Sequence, residues 1–297
     1  MTAGEPAEDA LGSLDALVLR GTLLLIVLRP GGPWQVRLGL LMVAGAALLK
    51  PRLIHSAWLW LGLALVAGAR LFLDWPLPDN HLYLLAYWCL ALGLALLSPH
   101  PRAAARLSAR LLIGGAFACA VLWKAFLSPD FLDGRFFRVT LLTDPRLSHV
   151  ALLLGGLSEA ELQENRQALA PWPPDVEPLD PPRPFEPPPL RRLATALTWA
   201  TIALEAVIAV GFLAPLRPPW TAVRHASLLG FCVAAYALAP VAGFAWLLIL
   251  MGLAALQEPD LWVRRAYIAT AALVLVWAEL PWARLARELV GGIRMIP

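Results

Sequence analysis

The stretch Val121 to Thr140, V-L-W-K-A-F-L-S-P-D-F-L-D-G-R-F-F-R-V-T, holds the residue with the most chemical promise in the chain, Lys124. It closes an apolar run that begins near Leu111, so its amine is placed at or just inside a hydrocarbon boundary, where a cation is costly. Of 24 basic residues only Lys50 and Lys124 are lysines; wherever fixed positive charge serves, the sequence uses arginine. An amine, unlike a guanidinium, can give up its proton when held away from water, which makes Lys124 a candidate general base or nucleophile. The competing use of a lysine at this depth is to snorkel, carrying its charge out to the headgroups.

A second candidate is His81, in Asp79-Asn80-His81-Leu82-Tyr83. With the spans counted as below, His81 opens the fourth at the depth where Lys124 ends the fifth. Antiparallel neighbours joined by a short turn usually pack together, so the imidazole and the amine are expected to face one pocket. A lone histidine at a helix start also serves as a cap or interface residue. Two carboxylates lie in apolar surroundings, Glu205 within a span and Glu279 near the end of another, and such groups face a cavity or a partner. Arg70 and Asp74, four apart, have the spacing of a structural ion pair.

The elements that must position these residues are membrane-spanning. With 59% hydrophobic and 15% charged residues, and 13 tryptophans in 297 positions, the chain is far from a soluble globular composition, in which roughly a quarter of residues are charged. A net charge of +3, with arginines spread in ones and twos, gives no basic stripe and excludes a nucleic-acid partner. Cys89, Cys119 and Cys232 all fall in apolar runs without metal-ligand spacing; they read as buried thiols, with neither a disulfide framework nor a metal site. The first ten residues are acidic and lack the basic region of a cleavable signal, so the first span is expected to serve as its own insertion signal. The tryptophans mostly sit near span ends, as an aromatic belt does.

A spanning helix needs about 20 apolar residues. Nine stretches qualify, with eight to nine as the range: Leu14 to Leu28, weakened by Asp15 and Arg20, then Trp34 to Leu49, Ile54 to Leu73, His81 to Leu97, Leu107 to Leu127, Leu193 to Leu213, Val223 to Leu238, Val241 to Leu256 and Trp262 to Leu280. The fold class is therefore all-α, a polytopic transmembrane helical bundle. Its organisation reads as spans one to five over residues 1–127, one long extramembrane loop over 128–190, spans six to nine over 191–282, and a basic tail over 283–297. The long loop holds ten acidic and five basic residues. Within it, Val150 to Leu157 is too short to cross, and Ser158-Glu159-Ala160-Glu161 has capping-box spacing that predicts a short amphipathic helix through about Ala170. Pro171 to Pro189 has ten prolines in 19 positions and predicts an extended strap. Basic loops at Lys50/Arg52, Arg102/Arg106/Arg110, Arg217/Arg224 and Arg264/Arg265 fall on one side if the amino terminus is cytoplasmic. The multi-pass protein then has the region after Lys124 on the face opposite the cytoplasm.

Asn80-His81-Leu82-Tyr83-Leu84 resembles the N-H-x-Y-L motif of the vitamin K-dependent gamma-carboxylase family and its bacterial relatives, the horizontally transferred transmembrane (HTTM) proteins. Lys124, followed by Asp130 and Phe131-x-x-Gly134, resembles that family's K-x-(n)-W-x-x-G segment, with Phe131 in place of the usual tryptophan. Phe231 to Phe244 is similar to its later paired spans. The resemblance covers most of the chain from about Ile54 to Leu256. It implies that Lys124 acts as base on reduced vitamin K or a related quinone, supported by His81. Oxygen and carbon dioxide are then co-substrates, and the carbon dioxide adds to glutamate. Asn80, Tyr83, Phe131, Gly134, Glu205 and Cys232 are the expected quinone pocket, without a metal. The implied partners are the lipid bilayer and a protein or peptide substrate, or a partner subunit. Two departures stand out: Phe231-Cys232 occupies the place where family members often have phenylalanine followed by histidine, and the chain has no counterpart of the large extramembrane domain of the animal carboxylases. The alternative readings are a non-catalytic membrane subunit for maturation, export or immunity, and a quinone-handling oxidoreductase that forms no carbon-carbon bond.

Overall fold

A computed structural model describes residues 14–73, 80–170, 183–215, 217, 220–238, 243–257 and 260–279. These residues fold into α-helices linked by short turns, with no strand among the described residues. In chain order the helices are α1 (Ala16–Leu28), α2 (Trp34–Leu49), α3 (Ala57–Leu73), α4 (Asn80–Leu97), α5 (Pro101–Leu122), α6 (Pro129–Leu132), α7 (Arg135–Thr143), α8 (Ser148–Leu153), α9 (Glu159–Ala168), α10 (Pro188–Leu213), α11 (Trp220–Leu238), α12 (Phe244–Ala254) and α13 (Leu261–Glu279). A π-helical turn, Trp123–Leu127, continues α5.

Three helical stretches among the described residues are long and apolar enough to cross a membrane: Pro101–Leu127, Pro188–Leu213 and Trp220–Leu238. The other apolar helices, Ala16–Leu28, Trp34–Leu49, Ala57–Leu73, His81–Leu97 and Phe244–Ala254, are shorter than a full span. At 1.5 Å per residue they reach roughly 16–26 Å against a hydrocarbon core of about 30 Å. Hydropathy reports that a stretch is apolar; how far it stays helical is set by its caps. Prolines and glycines such as those of Arg29-Pro30-Gly31-Gly32-Pro33 stop helices early.

The chain divides into two compact units, Met1–Ala116, Ile208–Tyr236 and Val241–Pro297 in the first, Phe117–Val207 and Ala237–Pro240 in the second. The first is built round α12, of which Ala245 and every residue from Leu247 to Leu253 is buried, as expected of a helix that is apolar on all sides. It packs against α1, α4 and α13, while α3 lies along α4. Gly93 lets α4 approach that closely: a β-carbon there would stand 2.8 Å from the Leu61 side chain and 3.2 Å from its backbone nitrogen. Trp60 and Trp88 are fully buried, the first donating to Ile54 O and the second to Thr22 Oγ1, so these two belong to the core and not to an interfacial belt.

The second unit has its own core, Leu141, Leu142, Leu147, Ala151, Leu157, Leu162, Leu190 and Ala194. The capping box predicted at Ser158 forms in full, with Ser158 Oγ accepting from Glu161 N and the Glu161 side chain accepting from Ser158 N. Most of the proline-rich strap lies outside the described residues. Its end departs from expectation, because Pro188 and Pro189 open α10 and are not extended. Proline is tolerated in a first turn, where the missing N–H has no partner to lose.

Four further expectations change. Arg102, Arg106 and Arg110 do not form a polar turn: they lie in α5, which starts at Pro101. Arg224 is a fully buried helical residue of α11, not a loop arginine. Cys119 is exposed, whereas Cys89 and Cys232 are buried. Asp15, which seemed to weaken the first span, precedes α1 and caps it by accepting from Leu17 N. Asp74, the basic tail and the side chain of Glu279 lie outside the described residues.

Candidate functional site

Lys124 sits in the π-helical turn that ends the long apolar helix, and such one-turn widenings occur frequently at functional sites. Around it Trp123 is 61% and Phe126 77% exposed, side chains suited to lipid, while the lysine side chain is only 20% exposed. The amine is thus turned inward. It donates to Glu205 Oε1 of α10 in a salt bridge within the second unit, and it stands 5.2 Å from the centre of the Phe131 ring. Glu205 is itself 6% exposed, and its Oε2 is buried with no hydrogen-bond partner among the described residues. One oxygen of the pair is therefore engaged and the other is left to accept.

Phe131 is fixed from behind. It is 5% exposed in the single turn α6, with its ring centre 5.2 Å from that of Phe136 and 5.7 Å from that of Phe137. Gly134 makes this arrangement possible, since it links α6 to α7 at φ +77°, a backbone that residues with a β-carbon avoid. Space is not the constraint: a β-carbon would meet Thr195 no closer than 3.6 Å. Lys124, Glu205, Phe131 and Gly134 thus converge, as a cationic amine, a carboxylate and an aromatic wall.

The remaining predicted residues belong to the first unit. Asn80 is the first residue of α4. His81 and Tyr83 are half-buried on the same helix. The His81 ring lies 6.4 Å from Phe244, which lies 6.3 Å from Phe231. Cys232, next to Phe231, is completely buried. His81 is accordingly brought toward the Phe231 to Phe244 segment, an association not anticipated from the sequence.

Sequence reasoning missed a second polar cluster in the first unit. Arg110 and Arg224 both reach the carboxyl end of α10: Arg224 Nε donates to Gly211 O at 2.8 Å and Arg110 Nη2 to Ala214 O at 2.8 Å. These guanidinium groups satisfy carbonyls that a helix end leaves orphaned. Beside them His225 Nδ1 lies 2.9 Å from the hydroxyl of the buried Tyr267. The signal was present as Arg224-His225 in an otherwise apolar run, since charge at that depth is retained only where it has a use.

The chain matches no family model, no curated protein and no solved structure. Its functional reading rests on the residues themselves. Among the described residues no group of three or more histidine, cysteine, aspartate or glutamate side chains is placed to hold a metal ion.

Proposed function

We propose that the chain is a membrane enzyme resembling the gamma-carboxylases, using a reduced quinone with oxygen and carbon dioxide, and that Lys124 is its base. The observation that carries the reading is the Lys124 and Glu205 pair beside the Phe131 ring, in a helical widening at the end of an apolar helix. The fit to a quinone is chemical. Its ring suits the aromatic side chains of Phe131, Phe136 and Phe137, its isoprenoid tail suits an apolar surround, and its acidic hydroxyl suits a pair with one unengaged oxygen, Glu205 Oε2. Vitamin K or a related quinone, when bound, would supply the electrons that oxygen takes up.

What this chain's residues do follows from that placement. The step breaks the hydroquinone O–H and would place its proton on the neutral-amine form of Lys124, with Glu205 balancing the charge that results. In this reading the resemblance to the family also gives His81, with Asn80, Tyr83 and Cys232 of the first unit, a part in the quinone chemistry, His81 as a second proton carrier. On the substrate glutamate a C–H bond would break, its proton leaving in the water formed from oxygen, and a bond to carbon dioxide would form at the same carbon. In this reading the chain crosses a bacterial cytoplasmic membrane about nine times with a cytoplasmic amino terminus, the short apolar helices completing the spans, and its substrate is a protein or peptide.

A second reading is favoured by the same salt bridge: an amine already satisfied by a carboxylate can simply lock α5 to α10 in a non-catalytic membrane subunit. Lys124→Arg separates the two, because it keeps the charge and removes an accessible neutral form. Mass spectrometry of proteins co-expressed with the wild type is expected to show glutamates heavier by one carbon dioxide, lost in Lys124→Arg while the protein stays folded and inserted. No adduct in the wild type, with reduced quinone present, would remove the carboxylase reading. Quinone turnover without an adduct would identify an oxidoreductase.

A further inference from the structure

Within the first unit a cleft of about 290 Å³ opens where the starts of α1, α5 and α13 meet the end of α12. Its polar lining is Asp15, Arg102, Arg106, Gln257, Asp260 and Arg264, and aliphatic side chains make up the rest. Both carboxylates are already engaged: Asp15 caps α1 and pairs with Arg264, and Asp260 accepts from Val263 N at the start of α13. Arg106 is different. Its Nε is buried with no hydrogen-bond partner among the described residues, and an N–H of a guanidinium left in that state is costly.

Among the described residues the cleft is lined by three arginines against two carboxylates, with one unsatisfied charged donor and ample room, since a water occupies only about 30 Å³. Three helix amino termini add their partial positive charge to the same volume. A group with several anionic oxygens answers the charge and the room, and Arg106 satisfies its Nε by turning its guanidinium toward that group, because guanidinium binds such groups through parallel N–H donors. The aliphatic walls fit whatever that group carries. The site also stands at the start of α5, the beginning of a stretch long enough to cross the bilayer, which is headgroup depth.

We propose that this cleft binds a phosphate group, held by Arg106 with Arg102 beside it. The group belongs to an anionic phospholipid or to free phosphate. The proposal is independent of the quinone reading. Native mass spectrometry of the full chain in neutral detergent, with phosphatidylglycerol or phosphatidylcholine added, reads the lipid source; thermal unfolding with inorganic phosphate against chloride at equal ionic strength reads the free one. Wild type is expected to retain phosphatidylglycerol over phosphatidylcholine, with retention falling about tenfold in Arg106→Gln. Arg52→Gln, at an exposed arginine elsewhere in the first unit, is expected to change nothing. Stabilisation by inorganic phosphate that disappears in Arg106→Gln would assign the site to free phosphate. If Arg106→Gln does not fold, the wild-type comparison decides alone: no preference for phosphatidylglycerol and no stabilisation by phosphate overturns the proposal. Equal retention and equal stabilisation in wild type and Arg106→Gln overturn it too.

Discussion

At the scale of single residues, Lys124 stood out because lysine is scarce in this chain, and Glu205 because it is acidic in an apolar run. Their pairing was not legible. The two are 81 positions apart, and many carboxylates and cations were equally available on paper. Breaking such a pair strands a buried charge: Lys124→Met is expected to cost roughly 3 kcal/mol by leaving Glu205 uncompensated, whereas Lys124→Met combined with Glu205→Leu should recover most of it. Thermal unfolding of the purified single and double variants measures the difference. A Lys124→Met protein as stable as wild type would mean that the salt bridge contributes nothing. At Gly134 the sequence showed a motif position, and the backbone supplies its reason. Gly134→Ala, forced to φ +77°, should lose about 1–2 kcal/mol by the same measurement.

At the scale of elements, local signals were read well where the interaction is local. The capping box at Ser158 closes over three residues and formed as predicted. Ser158→Ala should cost about 1 kcal/mol and speed amide exchange in α9. The turn before α8 gives a pH response. Hydrogen bonds from the Arg146 side chain hold the Asp144 carboxyl below its usual range, with partial burial opposing them. A carboxyl depressed in the folded state contributes its full stability above its unfolded value of about 4 and loses it as pH falls through the folded value. Amide exchange over residues 140–166, divided by the intrinsic rate at each pH, should therefore accelerate in acid below pH about 4. Asp144→Asn should flatten that response; an unchanged acid response would show that another group is responsible. Helix lengths were less legible, because Pro101 and Pro188 start helices where the sequence predicted a turn and a strap.

At the scale of the whole molecule, two arginines, the buried Arg224 and the half-buried Arg110, reach the end of α10, and this can be tested. Arg224→Met removes the donor to Gly211 O while keeping an apolar stem, and should lower the yield of folded, detergent-stable protein by leaving a buried carbonyl unpaired. Fluorescence-detected size exclusion compares it with Arg217→Met, at an exposed arginine. What the sequence by itself determined is the class of protein: composition and apolar runs require helices in lipid, because an unpaired backbone is too costly there for any open alternative. It also marked Lys124 and Glu205 as residues out of keeping with their surroundings, and Phe131 through its place in a family-like motif. Only the tertiary structure decided that these three meet, that Arg224 is buried at a helix end, that Asp15 caps a helix and pairs with Arg264, and that three apolar stretches reach full crossing length. Composition is a property of each residue and can be read along the chain. Pairing depends on which helices pack together and how far each one runs, and that is fixed by contacts between positions distant in sequence.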